Sequence, residues 1–171
     1  MITEGDLRFP GVVQAELDRR RASMLADGRG RVLDLTDPSA RDLLRGAIDA
    51  NGSAVVAEWD LVVSMAELVR YPDLPAALDA IDRLLVPNGR FVAVEPVARP
   101  GTLRVIVNAP WSATKWVRGV HVGRDLMAAL RTTTLVNDDI ERFTLPTAVA
   151  PLRHFVALGA RRVDRTTEVH Q

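Results

Sequence analysis

The sequence has 171 residues, of which 47% are hydrophobic and 26% charged, with no cysteine and with 22 basic against 22 acidic side chains. This apolar content excludes a disordered chain. The lack of cysteine excludes a disulfide scaffold, a cysteine nucleophile and a thiolate metal site. The balanced charge argues against nucleic acid as the main partner, because phosphate binding requires a basic surplus. No apolar run reaches the ~18 residues of a membrane span, and residues 1–10 lack a signal peptide's apolar region. We therefore expect one cytoplasmic, soluble domain over residues 1–171.

The first part of the chain alternates between helix and strand patterns. Apolar residues at helical spacing predict a helix over residues 11–27, which the following glycines end. A short buried strand is expected over 31–35, and Asp37-Pro38 then has the pattern of a capped helix start. That helix is expected to extend to residue 48. Two apolar strand segments follow at residues 54–57 and 60–64.

The second part adds one long helix and a closing hairpin. The predicted elements are a helix over 75–86, a turn at 87–89, a strand over 90–94, a short helix over 124–131 and strands near 140–145 and 155–160. This order indicates a mostly parallel α/β sheet with a C-terminal antiparallel hairpin. Within the domain we distinguish an N-terminal helical segment (1–29), a Rossmann-like core (30–96), a connector or cover (97–122), and a C-terminal helix and hairpin (123–163).

Several segments, in this order, carry a family resemblance. They are Gly30-Arg31-Val32-Leu33-Asp34-Leu35, Trp59-Asp60-Leu61-Val62-Val63-Ser64, the turn Leu85-Val86-Pro87-Asn88-Gly89-Arg90-Phe91, the stretch Gly119-Val120-His121-Val122-Gly123-Arg124-Asp125, and the closing segment 156–162. The chain resembles the class I S-adenosylmethionine-dependent methyltransferases of the small-molecule type 11 branch. The resemblance implies a doubly wound sheet that binds S-adenosylmethionine at the carboxyl ends of its first strands, and ligands of open parallel sheets do lie there.

The chain departs from this family in two places. Family members follow the first strand with a glycine-rich loop, whereas here Thr36-Asp37-Pro38-Ser39 follows. Pro38 has no N–H, and Asp37 places a negative charge where the methionine carboxylate would lie. Moreover, only 24 residues (36–59) separate Leu35 from Asp60, where the family has two further strands and two helices. We therefore predict a reduced sheet that lacks about one βα unit after the first strand, together with the ribose and adenine walls.

Few side chains are candidates for a site. Those for cofactor binding are Asp34, Thr36, Asp37, Glu58 and Ser64. Asp34 could face a cofactor amine or, equally, cap the following turn, whereas Glu58 could hold the ribose or be a charge at a sheet edge. His121 could act as a general base near a substrate, although a surface or hydrogen-bonded histidine is the plainer interpretation. No metal-ligand spacing occurs.

Three functional hypotheses follow. In the first, the cofactor site is lost and the protein acts by contact, as a homodimer or with a partner protein, through a sheet edge that the missing unit exposes near residues 54–57 or the first strand. In the second, the protein is an active methyltransferase on a small, apolar acceptor, which the apolar connector with Trp111 and Trp116 would help to cover. In the third, the vestigial cleft binds another small ligand.

Overall fold

The structure is a computed structural model that describes residues 9–50, 56–97, 121, 124–147 and 152–163. Its helices are α1 (Gly11–Asp27), α2 (Pro38–Asp49), α3 (Leu74–Leu84) and α4 (Leu126–Leu130), with a 3₁₀ turn at Leu68–Arg70. Its strands are β1 (Val32–Asp34), β2 (Trp59–Met65), β3 (Leu85–Pro96), β4 (Leu135–Thr144) and β5 (His154–Arg162).

The five strands form one sheet in the order β1-β2-β3-β5-β4. Strands β1, β2 and β3 are parallel, and β5 is antiparallel to both of its neighbours, β3 and β4. This arrangement confirms the predicted α/β sheet with a C-terminal antiparallel pair. Strand β1 stands at one end of this order and is therefore an edge strand of the described sheet. Helix α2 connects it to its neighbour β2.

Each face of the sheet has its own apolar core. Helices α2, α3 and α4 cover one face, where Val62 and Phe91 are fully buried. Helix α1 covers the other face, where its residues Val13 and Leu17 pack with Val63 of β2. Val62 and Val63 follow each other in β2, so their side chains point to opposite faces and both are fully buried. A strand that is apolar on both faces is what a parallel sheet between helices requires.

Most element boundaries agree with the sequence pattern, and the exceptions have physical reasons. The predicted strand over residues 54–57 is wrong in its second half, because Val56 and Ala57 belong to no strand; residues 54 and 55 lie outside the described ranges. The predicted turn at 87–89 lies within β3, where pairing with β2 passes from Leu85 to Arg90 and the intervening segment bulges out. There Asn88 adopts a φ of 63°.

Strand β4 is five residues longer at its start than the pattern indicated. Most of its side chains are exposed, since β4 is the outer strand at the second edge of the sheet. It therefore lacks the alternation of apolar and polar residues that reveals a strand. The connector falls almost entirely outside the described residues, including Trp111 and Trp116. In the described ranges, no helix has the length and apolar character needed to cross a membrane.

Candidate functional site

The carboxyl ends of β1, β2 and β3 form one rim of the sheet, where parallel α/β sheets bind ligands. Asp34 ends β1, Ser64 lies near the end of β2, and Glu95 lies near the end of β3. A cavity of about 350 Å³ lies between α1 and the β1–β2 part of this rim. We call the part of the rim at β1 the cofactor half and the part at β2 and β3, which includes the cofactor candidate Ser64, the acceptor half.

In the cofactor half, Asp34 is held on both of its carboxylate oxygens. The Arg21 guanidinium, from α1, donates from Nε to Oδ2 at 2.6 Å and lies 2.5 Å from the same oxygen through Nη2. The backbone N–H and the hydroxyl of Thr36 donate to Oδ1 at 3.0 and 2.8 Å. Asp34 thus caps the turn that follows β1, and Thr36 serves that turn.

Asp37 is the N-cap of α2. Its Oδ1 accepts hydrogen bonds from the backbone N–H and the hydroxyl of Ser39, at 2.8 and 2.7 Å. These bonds, those from the Ser39 side chain above all, hold the pKa of the Asp37 carboxyl below its usual value. Pro38 then occupies the first position of the helix. A helix start usually attracts anions, but here a carboxylate of the chain itself lies at that place.

Glu58 and Ser64 lie at opposite ends of β2. Glu58 directly precedes the first residue of the strand, and Arg31 donates to its carboxylate at 2.8 Å. The length of β2 therefore separates Glu58 from Asp34, Thr36 and Asp37, which lie beyond the carboxyl end of β1. The structure gathers those three residues but does not bring Glu58 to them.

The acceptor half contains a buried pair, Ser64 and Glu95, whose partners are 31 positions apart in the sequence. Ser64 donates its hydroxyl to Oε1 of Glu95 at 2.5 Å, and the backbone N–H of Leu68 donates to the same oxygen at 3.2 Å. Glu95 is 3% exposed, and its Oε2 has no hydrogen-bond partner among the described residues. Burial raises the pKa of Glu95 to about 8, against the opposing effect of the Ser64 and Leu68 hydrogen bonds. Glu95 therefore carries a proton at neutral pH.

Arg124 and His121 border the acceptor half. The Arg124 guanidinium donates to the backbone carbonyls of Leu68 and Tyr71, and its charge favours the ionised form of Glu95. The backbone N–H of His121 donates to the carbonyl of Val69 at 2.6 Å, while the residue is exposed. Partial burial, and then the nearby Arg124, lower the pKa of His121.

A third group of charges lies between the two halves. The Glu67 Oε2 accepts from Arg70 Nε at 2.5 Å and from Arg41 Nη1 at 3.4 Å. All three side chains are largely buried. Arg41 and Glu67 are 26 positions apart in the sequence, so no local motif indicates that they meet. In the described part of the chain, no group of three His, Asp or Glu side chains could hold a metal ion.

Comparison with known proteins identifies the fold. No family model and no curated protein matches the sequence. Among solved structures, the chain is similar to the [4+2]-cyclase SpnF, at 15% identity, with a TM-score of 0.56, over 95% of this chain and 86% of that one. It is also similar to 1,6-didemethyltoxoflavin-N1-methyltransferase of Burkholderia thailandensis with bound 1,6-didemethyltoxoflavin and S-adenosylhomocysteine, at 18% identity and a TM-score of 0.51, over 88% and 68%.

A third similar structure is the N-methyltransferase NodS of Bradyrhizobium japonicum WM9, at 14% identity and a TM-score of 0.52, over 87% of this chain and 98% of that one. The chain spans 53% of the same enzyme in its complex with S-adenosyl-l-homocysteine. The chain has the class I S-adenosylmethionine-dependent methyltransferase fold. Identities this low establish the fold alone, and the cyclase shows that this fold also serves a protein named for another reaction.

Proposed function

We propose that this protein is methyltransferase-like but does not use S-adenosylmethionine, and that it acts through self-association or with a partner protein. The observation that carries the proposal is the state of Asp34. Arg21 and Thr36 occupy both oxygens of this carboxylate, so a cofactor amine would have to displace an ion pair. At the next turn Asp37 and Pro38 leave little backbone N–H for a methionine carboxylate.

The topology of the sheet supports the same proposal. In the described sheet β1 is an edge strand, and Glu58, the candidate ribose ligand, lies at the amino end of β2. The residues of the cofactor half therefore do not fit S-adenosylmethionine.

Calorimetric titration with S-adenosylmethionine and with S-adenosylhomocysteine tests the proposal directly. We expect no saturable heat with either compound up to millimolar concentration, from protein whose circular dichroism shows it to be folded. Binding in the micromolar range or tighter would contradict the proposal.

A double variant, Asp37→Gly with Pro38→Gly, then separates the two suggested causes of the loss. It restores the backbone N–H at position 38, frees the N–H of Ser39 from the Asp37 carboxylate, and removes the charge at the start of α2. If affinity appears, the turn was the obstacle; if affinity stays absent, the missing βα unit is the larger defect.

The outer edge of β1 is the surface that we propose for association. The Arg31 carbonyl accepts from Leu61 N and the Leu35 N–H donates to the Val63 carbonyl, so both groups point to β2. Because backbone directions alternate along a strand, the N–H and C=O groups of Val32 point the other way. An edge of this kind can pair with another strand unless something covers it.

Two proline variants distinguish an edge used for association from one that is merely structural. Val32→Pro removes an outward N–H and leaves the β1–β2 ladder intact. We expect light scattering to show a dimer for the natural chain and a folded monomer for this variant. Leu33→Pro removes an N–H that points to β2 and should destabilise the fold itself by about 1–3 kcal/mol, because a ladder acceptor is left unpaired. A natural chain that is monomeric at all concentrations, and that retains no partner, would contradict this part of the proposal.

An active methyltransferase on a small, apolar acceptor is the second candidate, and the acceptor half favours it. There Glu95 offers a buried oxygen without a partner among the described residues. With a pKa of about 8, it could exchange a proton with a bound acceptor near neutral pH. Micromolar binding of S-adenosylhomocysteine in the titration above would favour this candidate over the first.

A further inference from the structure

We propose that the cavity between α1, the start of α2 and the end of β2 binds a small oxyanion, a phosphate or carboxylate group, through Arg41. This inference goes beyond the proposed function and depends on it in one respect only, since it requires that S-adenosylmethionine does not fill the cavity. Three arginines line the cavity, and its described acidic residues are Asp18 and Glu67.

The charges in the cavity leave Arg41 without full neutralisation. Arg21 is paired with Asp34 at 2.5 Å, and Arg70 is paired with Glu67 at 2.5 Å. Arg41 reaches the Glu67 oxygen that Arg70 already holds, and only at 3.4 Å. The remaining acid of the lining, Asp18, is exposed and accepts from Gln14 at 2.9 Å. Asp37, whose carboxyl pKa Arg41 helps to lower, is also exposed and accepts from Ser39, so water screens both charges.

The position of Arg41 makes this imbalance costly. Its side chain is 11% exposed, and a buried charge is unfavourable unless other groups compensate for it. A guanidinium has five N–H donors, and among the described residues Glu67 is the one side chain to which Arg41 donates, through a single long bond. Arg41 lines the cavity, and its other donors have no hydrogen-bond partner among the described residues.

Tyr71 does not supply the missing negative charge. Burial raises the pKa of its phenol to about 12, and Arg41 is among the charges near enough to act on it. Its hydroxyl has no hydrogen-bond partner among the described residues. The phenol is therefore neutral at physiological pH, and it does not compensate the charge of Arg41.

Size and geometry define the class of ligand. A cavity of about 350 Å³ lies at the small end of ligand sites. A guanidinium recognises two oxygens of one carboxylate or phosphate through parallel N–H bonds. The buried Arg41 guanidinium also disfavours a sulfonium group, so an oxyanion and S-adenosylmethionine make opposite demands on this cavity.

The experiment is titration of the full chain with inorganic phosphate and, separately, with malonate, at constant ionic strength set with chloride. Calorimetry and the thermal midpoint are the readouts. We expect saturable binding in the millimolar range or tighter, and a midpoint that rises with anion concentration. Comparison of the two anions shows whether phosphate or carboxylate is preferred. If neither saturates, or if chloride gives the same shift, the proposal is overturned.

Matched variants assign the effect to Arg41. Arg41→Gln should weaken binding at least about tenfold, and Arg41→Lys, which keeps the charge and can still pair with Glu67, should weaken it less. The control is Arg45→Gln, one turn further along α2, where Arg45 pairs with Asp42 at 3.1 Å; it should bind as the natural chain does. Equal loss in the Arg41 and Arg45 variants would contradict the assignment.

One further variant excludes an internal anion. Glu4 and Asp6 precede Phe9, a residue of the cavity wall, in the sequence. If anions bind only after Glu4→Gln and Asp6→Asn are combined, a carboxylate of the chain itself occupies the site and the proposal of a free ligand fails. This result differs from any outcome of the S-adenosylmethionine titration, so the two proposals fail separately.

Discussion

The two halves of the rim use their carboxyl groups in opposite ways. In the cofactor half, the oxygens of Asp34 and Asp37 accept hydrogen bonds from Arg21, Thr36 and Ser39. In the acceptor half, Glu95 is buried, and one of its oxygens has no partner in the described part of the chain. Satisfied polar groups contribute to stability, whereas a buried unsatisfied one costs about 1–3 kcal/mol.

This difference separates what the fold requires from what a function could require. The polar contacts of the cofactor half stabilise the turn after β1 and the start of α2. The acceptor half retains a group that the packing alone does not explain. Substitutions in the cofactor half should therefore change stability alone. In the acceptor half, Glu95 should also titrate far from its ordinary pKa.

The largest effect that we expect is the dependence of stability on pH through Glu95. In the folded protein its pKa is raised to about 8 from an ordinary value of 4.5. The stability that its protonated form provides is complete below pH 4.5, and is lost as the pH rises through 8. Over that window the free energy of unfolding should fall by up to about 1.4 kcal/mol per pH unit, or on the order of 3 kcal/mol between pH 5.5 and 8.5.

Glu95→Gln removes the titration and keeps the shape of the protonated acid. Urea unfolding at several pH values should show the natural chain losing stability toward alkaline pH relative to this variant, with the two nearly equal near pH 4. Parallel pH profiles for both proteins would show that Glu95 ionises normally. The contrast between the two halves would then disappear.

An intermediate effect is expected from the cofactor half. Asp34→Ala removes the ion pair with Arg21 and both contacts with Thr36, and it should lower the free energy of unfolding by about 1–3 kcal/mol. Asp18→Ala is the matched control, because Asp18 is an exposed acid whose loss should change stability by less than about 0.5 kcal/mol. Equal effects in urea titrations of the two variants would mean that the Asp34 contacts are weak. A ligand could then displace Arg21 and Thr36 from the Asp34 carboxylate at little cost.

The sequence predicted what depends on local pattern and missed what depends on long-range pairing. The apolar run of β2 and the cap at Asp37 are local signals, and both elements formed as expected. The contact between Arg21 and Asp34 joins a helix to a strand across the sheet face, and only the topology brings the two together. A ribose role for Glu58 depends on the strand predicted over residues 54–57, which it would follow. Val56 and Ala57 are not in a strand, and Glu58 lies at the amino end of β2, away from Asp34.

The smallest effect on stability is expected at His121, the candidate general base. It is exposed, so His121→Ala should change the free energy of unfolding by less than about 0.5 kcal/mol. Partial burial, followed by the charge of Arg124, lowers the pKa of His121 below the ordinary 6.5, which an NMR titration of the imidazole would measure.

The same titration also tests coupling between His121 and Glu95 within the acceptor half. If the imidazole signals of the natural chain show a second inflection near pH 8 that Glu95→Gln removes, the two side chains share one environment and the acceptor half behaves as a site. A single inflection in both proteins would leave His121 as a surface residue, and Glu95 alone would distinguish the acceptor half from the cofactor half.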